Sequence, residues 1–325
     1  MMTTETTYRG RHAFSIENDK LRVTVLAEGG HIAELFVKAT GVNPLWTPPW
    51  PTIEPSTYER SRHPEYGTDS ESKLLAGIHG HNICLDLWGP PSEEEAAAGL
   101  TVHGEAAVAR YAFSSASPDK LHCRCLADSA QLAFTRDLEL QGSTVQITEC
   151  VQNLSLLDRP IAWTEHVTLG PPFLKHGETV FAVPATRSVS FEGEVFDWPV
   201  FRGDDLRTYT SAQESARFTT HMIDPAVDDA FFTAYTPSLG TEVRYDWQRE
   251  DFPWIGIWDE NRSRKQAPWN GETVTRGMEF GVSPVPETRR KMIERGSLFG
   301  IPAYRWVPAH SSISVRYTAT AHKRG

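Results

Sequence analysis

The chain has 325 residues, 39% hydrophobic and 23% charged, with a formal net charge of −10 at pH 7. That length supports a large core, since a chain of about 300 residues buries roughly 75% of its unfolded surface, and the composition is ordinary for a soluble globular protein. The acidic balance excludes a nucleic-acid partner, which would need a basic field to meet phosphate, and argues against anchoring to an anionic membrane.

In chain order, the N-terminal stretch up to Asn18 is polar and holds no apolar secretion-signal core. No apolar run approaches the roughly 20 residues of a membrane span, so the expected location is cytoplasmic. Leu21–Leu26 alternates apolar and polar residues with period two, the mark of a strand. Gly29 and Gly30 force a turn, and residues 31–37 resume the alternation, giving an opening hairpin. Residues 43–66 are dense in proline, which rules out regular structure; they form a long ordered loop or a lid, with Trp46 and Trp50 free to pack or to stack on a ligand. One short helix is expected near 92–98, because Ser92 and Glu95 make a capping box and Gly99 stands at its C′ position. Residues 100–105 on its far side read as a strand.

From 107 onward the pattern is again strands, clearest at Thr144–Val151, where Val145, Ile147 and Val151 share a face. Further short strands are expected over 179–201, 215–223, 230–236, 241–247 and 254–258, with a last one at Ser312–Tyr317. Many short strands with Gly/Pro turns predict an all-β sandwich or barrel. No repeat or composition break divides the chain, so residues 1–325 are expected to form one domain. The four cysteines, Cys84, Cys123, Cys125 and Cys150, are too sparse for a disulfide framework or a zinc ribbon and read as reduced thiols.

Chemistry concentrates in two stretches. Residues 75–105 hold His79, His81 and His103 with several acids, and residues 163–170 hold Glu165 and His166. Alternate strand residues point the same way, which would put His103 with Glu105 and His79 with His81. Imidazoles beside carboxylates in one cleft suit proton transfer near neutral pH. His79-Gly80-His81 also has the H-x-H spacing of cupin-type metal sites, but that pattern wants a glutamate a few residues on where this chain has Asp86, so no metal is expected. A nucleophilic serine elbow and phosphate-binding glycine loops are absent; a paired-carboxylate glycosidase stays open. The stretch Asp251–Asn261 mixes Trp254 and Trp258 with acids and an amide, a mixture that suits sugars, whose C–H faces stack on rings while their hydroxyls bond carboxylates.

With these residues in view, the chain resembles the aldose 1-epimerase (galactose mutarotase-like) superfamily over roughly residues 15 to 320. Leu100-Thr101-Val102-His103-Gly104 is similar to its L-x-x-H-G segment, and Thr164–Gly170 falls where it has a second histidine segment, here with His166. Asp228-Asp229-Ala230-Phe231 is similar to its D-x-x-F stretch. Met278–Pro284, with Glu279, resembles a late strand of mutarotase-like proteins. Val307-Pro308-Ala309-His310 falls where the family has P-G-E. The resemblance implies a β-supersandwich and a cofactor-free reaction on a small-molecule sugar; a monomer or homodimer is expected, with nothing in the sequence to choose between them. In that reaction a glutamate takes the anomeric proton, a histidine protonates the ring oxygen, and the opened ring recloses as the other anomer. It makes His103, His166 and His310 the candidate catalytic residues, and His79, His81, Glu105, Asp228, Asp229, Trp258 and Glu279 the candidate sugar contacts.

One departure matters, since His310 stands where the family has its glutamate base. Either an imidazole replaces the base, or the base has moved to Glu105, Glu165 or Glu279, or the chain binds sugar without catalysis. A metal-dependent isomerase built on His79 and His81 is a further alternative.

Overall fold

Apolar residues on alternate positions give each strand one face to bury, and two sheets that bury those faces against each other satisfy most of the chain. The computed structural model describes residues 3–115 and 117–325, so Met1 and Met2 of the polar N-terminal stretch fall outside it. Its larger sheet runs in the order Thr3–Tyr8, Arg11–Glu17, Leu21–Leu26, Ile32–Val37, His81–Asp86, Arg159–Leu169, Val274–Gly281, Trp254–Asn261, Ser215–Ile223, Ala185–Ser190 and Val195–Asp197. The second sheet runs Val180–Ala182, Asp229–Thr236, Thr241–Gln248, Ser312–Lys323, Thr144–Asn153, Leu132–Gln141, Lys120–Ala127 and Ala112–Ser114. Their facing sides share one core, in which the Trp247 and Phe280 rings stack at 4.3 Å across the sheets. This is the all-β supersandwich expected from the sequence. No helix is long and apolar enough to cross a membrane.

The opening hairpin forms as the alternation predicts, with Leu21–Leu26 antiparallel to Ile32–Val37. Gly29 and Gly30 sit at φ +81° and +62°, and a Cβ on Gly30 would lie 2.6 Å from the Tyr111 ring. The predicted helix forms over Glu93–Ala97, with both hydrogen bonds of the Ser92/Glu95 capping box. In the proline-dense loop the only regular structure is two single 3₁₀ turns, Pro55–Thr57 and Pro64–Tyr66. Trp50 there donates its indole N–H to the Leu75 carbonyl at 2.9 Å.

Residues 100–105 are not a strand. Leu100–Gly104 pass the free edge of the His81–Asp86 strand, where Leu85 N–H donates to the His103 carbonyl at 3.1 Å. His103 and Gly104 have φ of +69° and +78°. A Cβ on Gly104 would stand 2.1 Å from the Leu85 carbonyl oxygen, so only glycine lets the chain come this close. The H-G pair is thus a backbone requirement as well as a chemical one.

Between the sheets lies a fully buried polar network. Arg136 bonds Glu149 at 2.6 Å, Glu165 at 3.2 Å and the Gly30 carbonyl at 2.8 Å. His81 Nε2 stands 2.8 Å from Glu165, and Tyr317 Oη 2.7 Å from Glu149 and 2.9 Å from Glu165. Burial raises the Glu149 carboxyl to about 8, against the opposing pull of Arg136.

Burial also keeps six histidines neutral: His31, His81, His166 and His221 are lowered to about 3, and His79 and His103 fall well below the usual imidazole range. Unfolding therefore takes up protons at these sites below pH 6.5, and the stability they contribute above that pH is lost as pH falls towards 3. Glu149 and Glu279, both raised to about 8, run the other way: their contribution is complete below about 4.5 and lost as pH rises through 8. Stability should peak at about pH 7, and the urea midpoint should fall steeply from pH 6.5 to 5. An unchanged midpoint over that interval would contradict the buried, neutral imidazoles.

Candidate functional site

Strand parity decides which side chains reach the outer face of the larger sheet. His166 pairs with Asn82 on one side and Glu279 on the other, and Glu279 pairs with Gly256. The intervening residues Ile83, Val167, Met278 and Phe280 point into the core, so this row faces away from the second sheet. The next row is Thr168, Gly277, Trp258 and Phe218. The glycines leave space for their large neighbours: a Cβ on Gly277 would lie 2.5 Å from Glu279 Oε1, and one on Gly256 would lie 2.9 Å from the Phe218 ring.

The Glu279 carboxyl is held from two sides. Oε1 is 3.2 Å from His166 Nε2, and Oε2 accepts the Trp88 indole N–H at 3.1 Å. His166 Nδ1 stands 2.9 Å from Thr168 Oγ1. The His103 ring lies 4.8 Å from that of His166, with its Nδ1 2.9 Å from Asn82 Oδ1. Since a carbonyl oxygen only accepts, Nδ1 of His103 carries the proton and its Nε2 is the basic nitrogen. Burial raises Glu279 to about 8, partly offset by the Trp88 hydrogen bond, and the same burial lowers His166 to about 3. At neutral pH the pair is a carboxylic acid beside a neutral imidazole, with one proton between them.

These groups line a cleft of about 450 Å³. On one side Trp258 meets the His166 ring edge-on at 5.9 Å and packs against Trp269 at 6.1 Å. The Arg264 guanidinium lies 5.4 Å from the Trp258 ring and 4.5 Å from that of Trp269. On the other side Trp88 meets Phe218 edge-on at 5.6 Å. Neutral acid and base groups between aromatic walls can exchange protons with a polar, uncharged ligand.

The structure brings together His103, His166, Glu279 and Trp258 and leaves the other candidates elsewhere. His310 sits in an exposed turn between Arg305–Val307 and Ser312–Lys323, outside the cleft, so the imidazole-for-glutamate substitution expected there has no place in this geometry. His81 points between the sheets to Glu165, one residue out of phase with Asn82. His79 precedes the strand and lies 3.0 Å from Thr52 Oγ1, so the H-x-H pair does not converge. Among the described residues no group of three or more His, Cys, Asp or Glu is arranged to hold a metal. Glu105 does not share a face with His103, because the chain turns into a 3₁₀ helix at Glu105–Ala107 and its carboxylate accepts the Ser129 and Ala130 N–H groups. Asp228 and Asp229 are exposed beside the second sheet, where Asp229 accepts from Gln248. Trp254 is buried against Phe299. Asn82, Trp88 and Arg264 are the residues that sequence reasoning missed. Asn82 alone had a signal, the alternation that sets it opposite in phase to His81.

The comparisons with solved structures place this chain in the galactose mutarotase-like fold. It superposes with a TM-score of 0.72 on a proposed aldose 1-epimerase from Klebsiella pneumoniae, at 14% identity over 97% of this chain and 80% of that one. The TM-score is 0.68 for a galactose mutarotase-like protein from Clostridium acetobutylicum, at 14% identity over 98% of each chain. It is 0.66 for a galactose mutarotase-like protein from Lactobacillus casei, at 14% identity over 95% of this chain and all of that one. At these identities the likeness is one of fold. The sequence matches no family profile and no curated protein.

Proposed function

We propose that this protein interconverts the anomers of an aldose by acid/base ring opening. The observation that carries the reading is the 3.2 Å contact between His166 and Glu279, with His103 4.8 Å from His166 in an aromatic-walled cleft. Glu279, protonated up to about pH 8, gives its proton to the ring oxygen. The neutral imidazole pair accepts the anomeric hydroxyl proton. The C1–O5 bond breaks as the C1–O1 carbonyl forms, leaving an imidazolium and a carboxylate next to each other. Rotation about C1–C2 and reclosure return both protons, so no co-reactant is consumed. The resemblance implied a glutamate base and a histidine acid; the burial that keeps Glu279 protonated supports the opposite roles for ring opening, which reclosure reverses. The non-catalytic reading rests on the loss of the base at His310; the Glu279 carboxyl beside His166 favours catalysis over it.

Anomer exchange of freshly dissolved α-glucose and α-galactose, followed by NMR, tests the assignment. His166→Asn should lower the rate by about 10²-fold or more, while His310→Ala should leave it unchanged. Loss of rate in His310→Ala would return the base to the position the sequence first indicated. Gly277→Ala, which displaces the Glu279 carboxyl, should lower kcat by about 10²-fold with the fold intact, because a 1 Å misplacement has that scale of effect.

A further inference from the structure

Two histidines line the cleft, and their ring nitrogens are not equally free. His166 is engaged on both sides, with Nδ1 2.9 Å from Thr168 Oγ1 and Nε2 3.2 Å from Glu279 Oε1. The protonated Glu279 carboxyl donates to Nε2, so Nδ1 of His166 holds the ring proton. His103 is engaged on one side only. Its Nδ1 lies 2.9 Å from Asn82 Oδ1, and among the described residues no group bonds its Nε2. His103 Nε2 is therefore the one imidazole nitrogen open to a ligand as a proton acceptor.

Asn82 decides that this nitrogen stays open. Its side chain is fully buried and does not line the cleft, so it has no ligand to bind. Asn82 stands opposite His166 in the strand register, and the His103 main chain is tied to the same strand through Leu85 N–H. With Oδ1 turned to His103, Nδ1 must carry the proton and Nε2 is basic. A reversed amide would donate to Nδ1 and put the proton on Nε2, which could then accept nothing. The observed orientation leaves Asn82 Nδ2 without a hydrogen-bond partner in the interior, which marks a polar group kept for a role other than stability. The nearest titratable groups, His166, His31 and Arg264, disfavour a charged His103. Glu71 and Glu279 line the same cleft, but neither is hydrogen-bonded to His103.

We infer that Asn82 is a positioning residue: it locks His103 in the Nδ1–H tautomer, which makes His103 Nε2, rather than His166, the group that takes the anomeric proton. This rests on the proposed anomer exchange and divides its work between a His103 base and a Glu279–His166 acid pair. The O1–H proton passes to Nε2 as Glu279 protonates O5 and the C1–O5 bond breaks. The imidazolium so formed keeps its Nδ1–H bond to Asn82, and reclosure returns both protons.

Long-range proton–nitrogen correlation NMR of protein with isotope-labelled histidine reads the tautomer without turnover, His103 being identified by its loss in His103→Asn. The expected pattern is Nδ1–H. An Nε2–H pattern in wild type would overturn the inference, whether or not any Asn82 variant folds. Asn82→Leu, similar in volume and unable to hydrogen-bond, should lower kcat about 10²-fold or more, the scale of a base held in the wrong tautomer, and leave KM unchanged. Asn82→Asp accepts from Nδ1–H as the amide does, so it should recover about tenfold or more of that loss. Its activity should also fall at a higher pH on the acid side than that of wild type, because a carboxylate beside Nδ1 favours the imidazolium. A raised KM with kcat intact in Asn82→Leu, or a folded Asn82→Asp no faster than Asn82→Leu, would overturn the inference. If wild type accelerates no sugar, the anomer exchange fails by itself, and the tautomer spectrum remains the test of Asn82.

Discussion

Glu279→Gln should lower anomer exchange by about 10²–10⁴-fold, the contribution of one positioned proton donor, without unfolding the protein. An amide has nearly the shape of the protonated carboxyl: it can donate to His166 Nε2 and accept the Trp88 indole N–H, the two contacts the acid makes at 3.2 and 3.1 Å. What it cannot do is release a proton. The folded-state pKa of Glu279 lies above its unfolded value, so the wild type loses stability as pH rises through about 8. Glutamine removes that loss, and the variant's urea midpoint at pH 9 should equal or exceed that of wild type. A variant that is inactive and also unfolded would assign Glu279 a structural role. A variant that is folded and fully active would remove it from the chemistry.

The second large effect is on stability. Arg136 is the single cation among Glu149, Glu165, His81 and Tyr317, all between the sheets and out of contact with water. Arg136→Met keeps much of the volume but leaves the carboxyl groups without their partner, and removing one member of a buried ion pair costs about 3–5 kcal/mol. Urea unfolding at pH 7 should show that loss, and Arg136→Met/Glu165→Gln should recover part of it. A loss of less than about 1 kcal/mol would mean that the network is already neutral without the guanidinium.

The fold was legible because period-two alternation survives along most strands, and because the capping box and Gly29-Gly30 are local signals that need no tertiary information. The candidate site was legible only where a residue lies in a strand of known phase or in a motif shaped by the backbone. His166 and Trp258 are of the first kind, and His103-Gly104 of the second. Residues 100–105 were misread because their apolar–polar pattern resembles a strand, while the positive φ of His103 and Gly104 beside the Leu85 carbonyl breaks the extended backbone. His81 was placed with the sugar contacts because histidine spacing does not say which face is core; the register with Glu165 and Asn82 does. Glu279 could be named but not given its partner, since its contact with His166 joins strands more than a hundred residues apart in sequence. His310 drew attention by its place in the order of motifs, which carries no information about distance.

The most direct test of Glu279 as a neutral acid beside neutral imidazoles is the pH profile of anomer exchange for α-glucose and α-galactose by NMR between pH 6 and 9.5. Acceleration that is level up to neutral pH and declines above about 8 is the predicted result. A rate that climbs through that same pH would make the carboxylate a base, and no acceleration of either sugar would contradict the reaction itself.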